Sequence, residues 1–115
     1  IVACLVGSEM CIRDRAYFEQ NNVNLAIKLF EEAISFEENA EPLLGLASCL
    51  RIKDIKLAIK LAKKALAIDA NYVSHEYRKE QLWGEKLQNS TEILLQNEQL
   101  QEDVILAKSK INISS

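Results

Sequence analysis

The sequence predicts an all-α protein built of stacked antiparallel helical hairpins with helices closing its C-terminal end. Three observations carry that expectation. Ala26-x3-Phe30-x2-Ala33-Ile34-x-Phe36 returns as Ala58-x3-Ala62-x2-Ala65-Leu66-x-Ile68, an echo at 32 residues, and a fixed period of that size marks repeated helical hairpins. Apolar residues between the echoes recur at three- and four-residue spacing, the signature of helices buried along one face. The interruptions, Glu37-Glu38-Asn39-Ala40 and Lys53-Asp54, are short and polar.

In chain order, Ala16 to about Asn21 reads as the end of a helix, and Asn21-Asn22 as the turn after it. A second helix runs from about Asn24, its expected cap, to Phe36. Leu25, Ala26, Leu29, Phe30, Ala33, Ile34 and Phe36 form its apolar stripe, with Lys28, Glu31, Glu32 and Ser35 outside. Pro42 suits the first turn of the next helix, where a missing N–H costs nothing, and that helix continues to about Ile52 on Leu43, Leu46, Ala47 and Leu50. The following helix, Ile55 to Ile68, turns Ala58, Ile59, Ala62, Ala65 and Leu66 inward. From Val73 the register is lost while helical character continues to Gln88, with Tyr77, Leu82, Trp83 and Leu87 among many charges. Asn89-Ser-Thr-Glu92 reads as a capping box opening a short helix to Leu95. After a break at Gln96-Asn97, a last helix places Leu100, Val104, Ala107 and Ile111 on one face, with Lys108 and Lys110 near an end that favours cations. These helices either cap the exposed end of the stack or dock onto a domain outside this chain.

Residues 1–15 stand apart. Leu5-Val-Gly-Ser-Glu-Met-Cys-Ile-Arg-Asp-Arg15 resembles the in-frame translation of a transposase-type sequencing adapter, and Ala16 enters the helical pattern partway through a helix, with no cap to open it. We therefore expect that segment to be non-native and the first hairpin to be half built. Ile1-Val2-Ala3-Cys4 is superficially like a lipoprotein cleavage box but lacks the charged and long apolar regions of a signal peptide. Setting these residues aside leaves 100 residues, one small domain. Removing Glu9, Asp14, Arg13 and Arg15 leaves 15 acids against 12 bases, so the net charge stays at −3. Cys49 alone remains of three cysteines, which argues against a disulfide framework and for a reducing, cytoplasmic setting. No apolar run approaches the roughly 20 residues that cross a bilayer.

The spacing resembles the tetratricopeptide repeat, whose helix-turn-helix units set small and large apolar residues at fixed positions. Leu43, Leu46, Ala47 and Leu50 correspond to a first helix, and Ala58, Ala65, Leu66, Ile68, Asp69 and Asn71 to a second helix with its exit turn. Tyr17, Ala26, Phe30 and Ala33 match a preceding, truncated unit. The resemblance covers about residues 16–72, with one truncated and one complete hairpin. It departs from the family in its period, which is usually about 34, in Asn21 and Asp54 where a turn glycine is usual, and in Glu38 and Ala70 where a closing proline is usual. It implies an α-solenoid fragment with a groove lined by first helices. Glu41, Leu44, Ser48 and Arg51 would line that groove, with Tyr77, Arg78 and Glu80 from the segment after Val73. The carboxylate clamp of some family members is not assembled from Glu41, Leu44, Gly45 and Ser48.

Each candidate for chemistry has a plainer reading. Cys49 lies in a helix beside Ala47 and Leu50, where a cysteine behaves as a small hydrophobe. His75-Glu76 offers no set of soft ligands for a metal. The neighbouring carboxylates Glu31-Glu32 and Glu37-Glu38 diverge on a helix and do not face one another as acid/base hydrolysis requires. Gly45 is isolated and Gly84 is read as mid-helix, so no phosphate loop forms. We expect no catalytic residue, no cofactor and no metal. Asn89-Ser-Thr and Asn112-Ile-Ser match glycosylation acceptors but lack a secretory context.

Arg51, Lys53, Lys56, Lys60, Lys63 and Lys64 make a basic stripe without the interleaved aromatics that stack on nucleic acid. The 32-residue offset sets Glu31 and Glu32 opposite Lys63 and Lys64, so cross-hairpin pairing is expected there, with an acidic protein partner as the next reading. The chain thus reads as a non-catalytic scaffold that binds a protein or peptide, with no nucleic-acid or membrane partner. The apolar surface left by a half-built first hairpin, at Phe18, Leu25 and Leu29, predicts weak stability or self-association. The rival reading is a helical accessory region of a larger cytoplasmic transferase.

Overall fold

A computed structural model describes residues 22–113. The adapter-like segment, Tyr17, Phe18 and the Asn21 turn lie outside the described residues. Those residues are all-helical, 82% in helix and without strands. The α-helices are α1 (Val23–Phe36), α2 (Ala40–Leu50), α3 (Ile55–Ile68), α4 (His75–Glu80), α5 (Glu85–Leu95) and α6 (Gln101–Ile113), with 3-10 turns at Ala70–Val73 and Glu98–Leu100.

Short polar side chains open several of these elements. Asp54 accepts the Leu57 N–H at 3.2 Å and starts α3, and Ser74 accepts the Tyr77 N–H at 3.3 Å and starts α4. Asp69 and Asn97 accept from the N–H two residues on, at 3.0 and 2.9 Å, and open the two 3-10 turns. The expected cap Asn24 lies inside α1. Asn22 holds the cap position without a side-chain bond, and Asn24 Oδ1 instead accepts a hydrogen bond from Lys53 Nζ.

The hub is α2, in which every residue is buried. It lies against α1, α3 and α5, and an antiparallel reversal at residues 51–54 joins it to α3. Ala26, Phe30 and Ala33 on α1 and Ala58, Ile59, Ala62, Ala65 and Leu66 on α3 form the stripes facing it. One contact is close enough to dictate a residue. A Cβ added at Gly45 would sit 2.7 and 2.8 Å from Cζ and Cε1 of the fully buried Phe30 ring. The missing side chain of Gly45 is therefore what lets Phe30 enter, and burying a phenylalanine contributes about 1.5–3 kcal/mol.

The echo extends to exposure. Phe36, expected in the apolar stripe, is 73% exposed, and its echo Ile68 is 49% exposed; each is the last residue of its helix. The expected pairing of Lys63 and Lys64 with Glu31 and Glu32 is also replaced. Lys64 Nζ meets Glu38 at 2.6 Å and Lys63 Nζ meets Asp103 at 3.7 Å, exposed pairs that contribute about 0–1 kcal/mol each.

The largest departure follows Val73. The expected helix to Gln88 stops at Glu80, where Leu82 takes a left-handed conformation at φ 67°. Trp83 N–H donates to Arg78 C=O at 3.1 Å and Leu82 N–H donates to Lys79 C=O at 3.0 Å, the paired closing bonds of a Schellman motif. Gly84 is the N-cap of α5 rather than a mid-helix residue, and Asn89 to Glu92 lie within α5 rather than at its start. Leu87, Leu94, Leu95, Leu100, Val104 and Ala107 join the core built by the first three helices, and α6 packs on α3 and on the Ala70–Val73 turn.

Candidate functional site

The expected groove residues fall into two clusters, and Glu41, Leu44, Ser48 and Arg78 are buried. Residues 72–95, Arg78 among them, lie over the face of α2 that carries Glu41, Leu44 and Ser48, so these seven residues do not line one open groove. The first cluster joins α2 to α5. Ser48 Oγ lies 2.7 Å from Thr91 Oγ1, and each hydroxyl also lies within bonding reach of its own i−4 carbonyl, Leu44 C=O at 2.9 Å and Leu87 C=O at 2.8 Å. Each hydroxyl has one proton, so one of them bonds across the interface while the other bonds within its helix. Ser90 Oγ donates to Ser48 C=O at 2.8 Å and accepts from Arg51 Nε at 3.2 Å.

The second cluster surrounds Arg78, a fully buried cation on α4. Its Nε donates to Gln88 Oε1 at 2.7 Å, Nη1 donates to Tyr72 C=O at 2.7 Å, and Nη2 donates to Glu92 Oε1. His75 Nδ1 shares that carboxylate oxygen at 3.2 Å, and Gln88 Nε2 donates to His75 C=O at 3.1 Å. Burial lowers the Arg78 pKa and the facing Glu92 carboxylate opposes the shift, so the guanidinium stays charged, with each of its three nitrogens donating to a protein acceptor. Tyr72 packs edge-on to Tyr77, ring centroids 5.0 Å apart, and donates from its hydroxyl to Glu41 Oε2 at 3.2 Å. Burial, and then the Glu41 carboxylate, push the Tyr72 phenol above its ordinary value. Glu80 is exposed on the outer face of α4, and Leu44 is enclosed in the core.

Of the seven, Ser48 and Arg51 also line a groove of about 450 Å³. Val23 from α1, Cys49 from α2, Ile52 and Lys53 from the reversal, and Lys86, Asn89 and Ile93 from α5 complete its main walls. Burial pushes the Cys49 thiol up to about 12, so at neutral pH it is protonated and a poor nucleophile. Among the described residues no group of three or more His, Cys, Asp or Glu side chains is arranged to hold a metal ion. Among those residues also, no helix is long and apolar enough to cross a membrane.

Sequence reasoning placed Lys53 in a basic stripe but missed Ile52, Lys86, Ser90, Thr91, Gln88 and Glu92 as residues of these clusters and of the groove. The available signal was Ser90-Thr91, two small hydroxyl residues suited to meeting Ser48 across a close helix contact, which the neighbouring Asn89 and Glu92 disguised as a cap. Compared with models of protein families, with curated proteins and with solved structures, the chain matches none.

Proposed function

We propose that this chain is a tetratricopeptide-like scaffold that binds a protein or peptide through a helical surface and catalyses no reaction. The observation that carries the reading is the groove of about 450 Å³ at the junction of α1, α2 and α5, bordered by Ser48 and Arg51 from the expected set. Its walls come from three helices and the reversal after α2, and its floor sits on the fully buried α2, so most of it is carried by helices. The equivalent burial of Ala26 with Ala58 and Ala33 with Ala65 supports the repeat reading. The protonated Cys49 and the enclosed Arg78, each of whose nitrogens donates to the protein, offer no reactive group, which supports binding over catalysis. The test is selection of random displayed peptides on the immobilised full chain. Enrichment of a consensus peptide, followed by saturable binding of that peptide in solution, is expected; no enrichment overturns the proposal.

A further inference from the structure

We infer that the outer face of α6 is a self-association surface, on which a second copy of this chain docks its own α6 antiparallel about a two-fold axis; this goes beyond the scaffold reading and does not depend on it. α6 is apolar on two sides. Val104 and Ala107 are buried in the core, while Ile105 and Leu106, side by side in the middle of the same helix, are 66% and 56% exposed. Glu102, Ile105, Leu106 and Ser109 recur at three- and four-residue spacing and so share one outward stripe, where the small Ser109 lets another helix approach closely. Beside Leu106 lies a hollow of about 70 Å³, walled also by Leu66 and Ala67 of α3 and by Ala107, a hole open to an apolar knob from outside.

The face is complementary to itself, which is what selects a second copy as its occupant. Charge along α6 runs from Glu102 and Asp103 to Lys108 and Lys110. The helix field favours that order in any case, so the charges alone call for no partner; the exposed apolar pair between them has no such explanation. In an antiparallel pair centred between residues 105 and 106, Ile105 and Leu106 of the two copies cover one another. Leu106 of each copy then enters the hollow of the other, and the acids of each come level with the bases of the other. Among the described residues Glu102, Lys108 and Lys110 join no ion pair, and Asp103 meets Lys63 only at 3.7 Å, so these charges are open to a neighbour. α6 has 13 residues and is therefore about 20 Å long. A contact one such helix wide is small beside the roughly 1,200–2,000 Å² of a stable complex, so the association is weak and depends on concentration.

The experiment is sedimentation equilibrium of the full chain over a concentration series, and an equilibrium between monomer and dimer that stops at two copies is expected. Ile105→Glu sets a charge at the centre of the contact and should weaken dimerisation about tenfold or more, with an unchanged circular dichroism spectrum and melt because the side chain is exposed. Two charge-reversed variants test the complementarity. Glu102→Lys with Asp103→Lys, and Lys108→Glu with Lys110→Glu, should each self-associate less than the wild type, and a mixture of the two should form a one-to-one dimer. A chain that stays monomeric up to about 1 mM, assemblies that grow past two copies, an Ile105→Glu variant that dimerises like the wild type, or a mixture no tighter than its components overturns the inference. So does dimerisation that Leu29→Ser abolishes and Ile105→Glu leaves intact, which puts the contact on α1 instead.

Discussion

Leu82 is the residue at which sequence and backbone disagree most plainly. It occupies the left-handed position of a Schellman motif, where a side chain is strained and glycine is usual, while its own side chain is 65% exposed and buries little. Leu82→Gly should therefore stabilise the protein by about 0.5–1 kcal/mol, the relief of strain outweighing the extra freedom of the unfolded chain. Urea unfolding followed by circular dichroism checks this, and a loss of stability would mean that Leu82 packs against something in solution. Arg78 presents the opposite case, a costly residue that cannot be simplified. Arg78→Lys keeps the charge but cannot reach Gln88, Tyr72 C=O and Glu92 together, so buried acceptors lose their donors. We expect a loss of about 2–4 kcal/mol by the same measurement, and a smaller one for Glu92→Gln, since the Glu92 side chain is 42% exposed.

At the scale of elements, the decisive fit is helix α1 against helix α2. Gly45→Ala improves intrinsic helix propensity by up to about 1 kcal/mol, yet it sets a methyl group against the Phe30 ring at 2.7 Å. The clash should prevail, costing about 1–3 kcal/mol. A double-mutant cycle with Phe30→Leu should recover part of that cost, and additive effects would separate the two residues. The first three described helices were legible because Ala26, Phe30, Ala33, Ala58, Ala62 and Ala65 repeat the helical period within each element, and burial follows that period. After Val73 legibility failed for local and non-local reasons. Leu82 gives no glycine signal for its turn, Gly84 lies two residues beyond it, and within the cap-like Asn89 to Glu92 the hydroxyls of Ser90 and Thr91 are recruited by α2 and the carboxylate of Glu92 by α4. Arg78 and Ser48 were singled out as residues of an open surface, and only the fold-back of residues 72–95 encloses them. A period within one helix cannot announce which distant helix will cover it.

Across the whole molecule, the buried acids of this core predict how stability depends on pH. Unfolded, the Cys49 thiol ionises near its ordinary 9.0, whereas burial holds its proton to about 12 in the folded chain. The folded state therefore binds more protons between those values, so this contribution is intact below pH 9.0 and declines as pH rises toward about 12, by roughly 1.4 kcal/mol for each unit crossed. Tyr72 and Tyr77, both raised chiefly by burial, steepen the decline above their ordinary 10.0. Urea midpoints at a series of pH values should be flat near neutrality and fall in alkali, and Cys49→Ala should flatten the first part of the fall. The enclosure of α2 has a consequence for synthesis as well. Ser48 and Thr91 meet across 43 positions of chain, so when α2 leaves the ribosome its α5 partner has not yet been made. Until residues up to about Leu95 have emerged, α2 presents a bare flank to the cell, and a product released before that point would carry this apolar helix as an adhesive edge, an early substrate for chaperones or degradation.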